Sequence, residues 1–382
     1  MSQTQPLIMQ AELVEARPST SSGGMVEQRP ISRVVIIGTG LIGTSIGCAF
    51  SAAGYAVHLR DHKISHARVA AGLGAGTIEP PISADVDLVV VAVPPGAIAD
   101  LVVHSLQIYP NATVTDVGSV KAGVLDALWQ RDVDLGRYVG SHPMAGSHHS
   151  GPMTAHRELF VDRTWVVTPH RRSAAESVER VRAAVRVCRA RELIMDVDDH
   201  DAAVARVSHL PHLMSVLVAG HLTQVPERDL MLAGQGLRDV TRIAGSDPEL
   251  WEQILGANSN AVLEELRDIQ DQLGLLIKSV EAAHASGDLR SQLERGVAGI
   301  RKIGGKHGAA PVRYRQVVVA IPDSPGALAR LFADVSAAGV NVEDVSIEHD
   351  PVREIGYLAL SVAPEYADSL VEMMLSHGWT VS

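Results

Sequence analysis

Three groups of residues in this 382-residue chain have the types and spacing that chemistry requires. The first is Gly38-Thr39-Gly40-Leu41-Ile42-Gly43, which follows directly on the apolar run Val34-Val35-Ile36-Ile37. A strand feeding glycines of this spacing into a helix predicts a dinucleotide cradle. The first glycine permits a tight turn, the second lets backbone approach a pyrophosphate, and the third lets helix pack closely on strand. The helix N-terminus adds N–H donors and the positive end of its dipole. The second group is His142, after a short β-branched run, with Ser119 after another. A neutral imidazole, with an ordinary pKa near ~6.5, takes the proton of an alcohol while hydride leaves the carbon. The third group comprises Ser208-His209-Leu210-Pro211-His212 and Arg238-Asp239-Val240-Thr241-Arg242. His209 and His212 share a helical face, Pro211 predicts a kink, and guanidinium groups four apart suit carboxylates. Together these groups imply hydride chemistry on an anionic substrate.

Elements must position these groups. From Arg33 to about Thr168, β-branched runs alternate with Ala-rich helical stretches, the pattern of parallel strands with crossover helices. Helical composition resumes at Thr44 to Ala53. Predicted strands end at Asp61, at Val93-Pro94, at Asp116 and at Gly140, and ligands in such sheets sit outside the carboxyl ends. Asp61 would accept hydrogen bonds from a ribose 2′-hydroxyl and so favours NAD, although Arg60, His62 and Lys63 are cations able to offset repulsion of a 2′-phosphate. The candidate cofactor residues are therefore Gly38, Gly40, Leu41, Ile42, Gly43, Asp61, Val93 and Pro94. From about Asp196 to Ser286 the strand signal disappears, and Leu263, Leu266, Ile269 and Leu273 mark a long amphipathic helix. Gln316 to Ser382 reads strand, helix, strand, strand, helix, strand.

The expected fold is thus an α/β Rossmann-type domain over 32–194, an all-α helical domain over 195–304 and an α+β ferredoxin-like unit over 315–382. A disordered tail over 1–31 and a Gly-rich linker over 305–314 complete the division. A formal net charge of -11 argues against sequence-independent nucleic-acid binding. Two cysteines provide no disulfide framework and point to a reducing compartment. No apolar run reaches the ~18 residues of a membrane span, and no signal peptide is apparent, so a cytoplasmic protein is expected. His142, His148 and His149 have no carboxylate or cysteine partner at metal-ligand spacing, so no metal is expected.

In these motifs the sequence resembles the prephenate/arogenate dehydrogenases of tyrosine biosynthesis. The resemblance runs from Val34 to about Gly256 and rests on the Gly38-x-Gly40-x-x-Gly43 loop, Asp116-Val117-Gly118-Ser119-Val120-Lys121 and His142-Pro143-Met144-Ala145-Gly146. It continues through Ser208 to His212 and Arg238 to Ala244 with Ser246-Asp247-Pro248. It implies NAD-dependent oxidative decarboxylation of prephenate to 4-hydroxyphenylpyruvate, with arogenate or 4-amino-4-deoxyprephenate as the alternative substrate. His142 would take the ring hydroxyl's proton with help from Ser119. Arg242 would bind a substrate carboxylate, and Arg238, His209 and His212 would shape the pocket. The helical region would form a homodimer. Several prephenate-specific relatives carry an acidic residue where this chain has Ser147-His148-His149, so His148 lies near the substrate side chain and the choice between substrates stays open.

The C-terminal stretch resembles an ACT regulatory domain through Asp323-Ser324-Pro325-Gly326 and Gly339-Val340-Asn341. There Ser324 is expected to cap a helix, Pro325 to open it and Gly339 to end it. The resemblance implies an aromatic amino-acid effector near Asp323, Gly326 and Asn341.

Overall fold

The structure, a computed structural model, describes residues 31–146, 151–282, 288–303, 314–322, 324–350 and 355–381. The expected tail up to residue 30, most of the linker, His148 and Asp323 lie outside the described residues. Four strands, β1 (Arg33–Ile37), β2 (Ala56–Arg60), β3 (Leu88–Val91) and β4 (Thr113–Asp116), form a parallel sheet in the order β2-β1-β3-β4. Helices α1 (Leu41–Ala52), α2 (Ile64–Gly72) and α3 (Pro95–Ile108) make the crossovers. Side chains alternate across the sheet: Val34 and Ile36 join Ile46 and Phe50 of α1 in one core, whereas Val35 joins Val102 and Leu106 of α3 in another. The chain jumps from β2 across β1 to β3, which opens a crevice at the carboxyl ends of β1 and β3.

Two boundaries differ from expectation. α1 begins at Leu41, three residues early, because Gly40 is its N-cap and Gly43 falls inside its first turn. β3 ends at Val91, because Pro94 caps α3 and Pro95 opens it.

Helix α4 (Ala122–Trp129) leads to a second sheet of β5 (Gly140–Pro143), β6 (Thr164–Thr168) and β7 (Arg191–Ile194), with α5 (Ala175–Val187) between the last two. β5 runs antiparallel to β6, and β6 parallel to β7. The expected strand at Tyr138 to Gly140 is corrected here. Tyr138 makes one isolated parallel bridge to Val114, and pairing in β5 begins at Gly140. His142 therefore sits within β5, opposite Val166, and not in a loop beyond it.

The helical region comprises α6 (Val197–Val204), α7 (Leu210–His221), α8 (Glu227–Leu230), α9 (Gln235–Thr241), α10 (Pro248–Ala257), α11 (Ser259–Glu281) and α12 (Asp288–Ile300). A π turn at Ala205–His209 joins α6 to α7 just before Pro211. Pro211 has no N–H to return to an earlier carbonyl, and the widened turn is the physical form of the expected kink. Val197–Gln224 is thus one helical run of 28 residues, long and apolar enough by length and composition to cross a membrane, where the sequence reading expected none. Its buried face carries His200, Asp201, His209 and His212. α10 packs on α3 and α4, where the Gly96 N–H donates to Gln253 Oε1 at 3.4 Å.

The C-terminal unit consists of β8 (Arg315–Pro322), α13 (Ala327–Ala337), β9 (Val342–Asp350), β10 (Ile355–Val362), α14 (Pro364–Ser376) and β11 (Thr380–Val381). Its antiparallel sheet has the order β11-β8-β10-β9. Val317, Val319, Leu331, Leu358, Leu360 and Leu370 fill its core. Gly339, at φ +66°, ends α13 as expected. The start differs: α13 opens at Ala327 after Gly326, whose φ of +89° favours glycine, and no side chain caps it, Ser324 included.

Candidate active site

The dinucleotide cradle is built by close packing. A Cβ added at Gly38 would lie 2.1 Å from Ala92 O, and one at Gly43 would lie 1.9 Å from Gly38 O. A Cβ at Gly40 would meet nothing within 4 Å. Two glycines are therefore required by packing, and the third borders open space. No side chain caps α1, so its first amides are open to an anion. Val93 and Pro94 line the other side of the crevice, just past β3.

Asp61 accepts hydrogen bonds from Thr39 N–H (2.7 Å) and Oγ1 (2.8 Å) on one oxygen and from Lys63 N–H (2.8 Å) on the other. Burial pulls its pKa up, but these bonds and the neighbouring His62 outweigh burial and hold the carboxyl below its ordinary value. Arg60 donates to Leu59 O (2.7 Å), Ile78 O (3.0 Å) and Glu79 O (3.3 Å), so its guanidinium is engaged by backbone carbonyls. The cation best placed to welcome a 2′-phosphate is thereby withdrawn, and the donor set fits NAD.

The catalytic geometry centres on a chain of three side chains. His142 Nδ1 lies 2.9 Å from His200 Nε2, and His200 Nδ1 lies 2.7 Å from Asp201 Oδ1. A carboxylate only accepts, so His200 donates from Nδ1, and a neutral His200 ring then accepts at Nε2 from His142 Nδ1–H. That leaves the lone pair of His142 on Nε2, the nitrogen a base must present. Burial is the main reason the His142 pKa falls well below the usual imidazole value, with the neighbouring His200, Lys121 and His209 adding to it. Ser119 lies three residues past β4, half-buried, and its hydroxyl makes no hydrogen bond among the described residues.

His209 and His212 are both buried on the same helical run. Asn258 donates from Nδ2 to Asp201 O (2.8 Å) and lies 3.2 Å from His209 Nδ1. The His212 ring stacks on Trp251 of α10 at 3.5 Å between centroids and 1° between planes. Burial lowers the pKa of both histidines, that of His209 to about 4, so they are neutral near pH 7. Arg238 and Arg242 do not share one helix: α9 ends at Thr241, and Arg242 opens the 3-10 turn Arg242–Gly245. Both arginines are exposed without an ion pair among the described residues, and the turn packs against α7.

Sequence reasoning missed His200, Asp201, Asn258 and Trp251. The first two carried a signal: Val197, His200, Asp201 and Val204 fall at helical spacing on the buried face of α6, where apolar residues belong. Ionisable groups at apolar positions mark a polar site.

A Gly-rich cradle opposite a neutral, hydrogen-bonded histidine defines an NAD-dependent dehydrogenase with a Rossmann-type domain and a helical domain. The family model described as "Prephenate dehydrogenase, nucleotide-binding domain" matches residues 46–194, and "Prephenate dehydrogenase, dimerization domain" matches residues 196–295. The chain belongs to the prephenate dehydrogenase family. It is 33% identical over 355 residues to "Probable prephenate dehydrogenase NovF" of Streptomyces niveus, covering 90% of this chain and 98% of that one. It is 28% identical to the prephenate dehydrogenase of Bacillus subtilis, covering 82% of this chain and 87% of that one. Its fold matches an Aquifex aeolicus prephenate dehydrogenase solved with hydroxyphenyl propionate and NAD+, with TM-score 0.65, 23% identity, and 72% of this chain and 99% of that chain covered.

Two outcomes are expected. Gly43→Ala should lower the thermal midpoint, as overpacking typically costs about 1–3 kcal/mol; Gly40→Ala should keep the midpoint and weaken NAD binding, read by calorimetry. Separately, His142, His209 and His212 stay neutral in the fold, whereas the unfolded chain takes up protons below about pH 6.5. Stability should therefore fall as pH drops through that value, and the fall should be shallower in His142→Asn, measured by thermal melts across pH.

Proposed function

We propose that this chain oxidises prephenate with NAD and releases CO2 and 4-hydroxyphenylpyruvate. The observation that carries the reading is His142, held neutral and presenting Nε2 through its link to His200 and Asp201. His142 Nε2 accepts the hydrogen bond of the ring hydroxyl and takes its proton as that carbon becomes a carbonyl. The nicotinamide, when bound, accepts the hydride leaving the same carbon. Loss of the ring carboxylate as CO2 leaves its bonding pair in the ring, which becomes aromatic. The phenolate oxygen then takes the proton back from His142, so no net proton is released. Ser119, in the loop after β4, orients the hydroxyl, and Arg242 pairs with a substrate carboxylate while Arg238 borders it. The stacked His212 and Trp251 and the neutral His209 supply flat, uncharged walls.

The helical region is read as the interface of a homodimer. Exposed Val216 and Leu217 of α7, Leu273 and Ile277 of α11, and Leu293 and Val297 of α12 support this, as burying them needs a second surface. The C-terminal unit is read as an ACT-type module for an aromatic amino acid, supported by its strand order and by Gly326 and Asn341 flanking α13. Free thiols at Cys48 and Cys188 support a reducing, cytoplasmic setting.

The test is turnover of prephenate and of arogenate with NAD and with NADP, followed as reduced cofactor. Prephenate with NAD should give the highest kcat/KM; no turnover of either substrate would sink the reading. His142→Asn should lower kcat by about a hundredfold to ten-thousandfold. The acidic limb of kcat/KM should lie below the ordinary imidazole value of about 6.5.

A further inference from the structure

We propose that Lys121 is a positioning residue for this reaction: its ammonium and its own amide hydrogen join the loop carrying Ser119, the strand carrying His142 and the helix carrying His200 and Asp201. The inference rests on the dehydrogenase reading of the site. Lys121 is 1% exposed, a burial that a lysine tolerates only with strong partners. Its Nζ donates to Asp116 Oδ1 and, at 2.8 Å, to Ser141 O. Its backbone N–H donates to Asp201 Oδ1 at 2.9 Å, and the next amide, from Ala122, donates to Asp201 Oδ2 at 2.8 Å.

Each partner is a neighbour in sequence of a reacting or relaying group. Asp116 begins the turn that ends at Ser119, and its Oδ1 also accepts from Gly118 N–H at 2.9 Å. Ser141 immediately precedes His142, and Asp201 immediately follows His200. Tyr138 OH completes the Asp116 carboxylate with a donation to Oδ2 at 2.7 Å. A lysine serving only as a core ion pair needs one carboxylate. This one spans three separate elements, and all three meet at the site.

The charge also bears on the base. The groups facing His142 are His200, Lys121 and His209, with Asp201 behind His200. The ammonium opposes protonation of the His142 ring, in the same direction as burial.

The experiment compares the full-length wild type with Lys121→Met, and with Lys121→Met combined with Asp116→Asn, which removes both buried charges together. The double variant keeps the question answerable where an unpaired Asp116 prevents folding. Folded variants should bind NAD as the wild type does, and kcat for prephenate should fall about tenfold or more with a smaller change in KM, as expected for misplaced groups. In Lys121→Met the titration of the His142 ring, followed by NMR without substrate, should move to higher pH. A purely structural lysine would lower the melting temperature alone; a folded variant with wild-type kcat and an unmoved His142 titration overturns the proposal. Because the titration needs no turnover, a wild type inactive on prephenate would reject the substrate reading without deciding this one.

Discussion

A charged group removed from water has to be met by partners inside the protein, and that requirement organises the junction between the two larger parts of this molecule. Asp116, Lys121 and Asp201 are all nearly fully buried. An isolated buried ion is so costly that each must be surrounded by donors or acceptors of suitable geometry. Asp116 finds Lys121, Tyr138 and the Gly118 amide, while Asp201 finds two amides, His200 and, through its carbonyl, Asn258. Those partners come from the loop after β4, the start of α4, the segment before β5, α6 and the residue between α10 and α11. Satisfying two carboxylates thus draws five segments of the chain to one point, and His142 stands beside it.

The cradle answers to a different constraint. There the limit is steric, because strand, loop and helix approach so closely that Gly38 and Gly43 have no room for a side chain. Close approach leaves the first amides of α1 bare, and bare amides at a helix start attract phosphate. One half of the site is therefore built on the absence of side chains and the other half on their hydrogen bonds. The jump of the chain from β2 across β1 to β3 opens the crevice at the carboxyl ends of that sheet.

Much of this was legible from local pattern. Val34 to Ile37 followed by three spaced glycines predicted the first crossover, because sterics and periodicity are properties of neighbours in sequence. His142, Ser119, His209 and His212 stood out by type and by position relative to strand ends and helix turns. His200 and Asp201 did not, although their place on the buried face of α6 offered a cue. Their role depends on His142, 58 residues away, and no spacing rule relates those positions. The pairing of β5 with β6, which moved His142 from a loop into a strand, was equally invisible, since antiparallel register is set by the partner.

By itself, then, the sequence determined the order of elements, the glycine cradle, the acidic residue at the end of β2 and the histidine proposed as the base. Tertiary structure alone decided which nitrogen of His142 is free, that the pocket histidines are neutral, that Arg60 is engaged by carbonyls and that Arg238 and Arg242 leave one helix. The division has a physical cause. Residue type and periodicity act over a few neighbours, whereas protonation and tautomer depend on burial and on partners that only folding brings together.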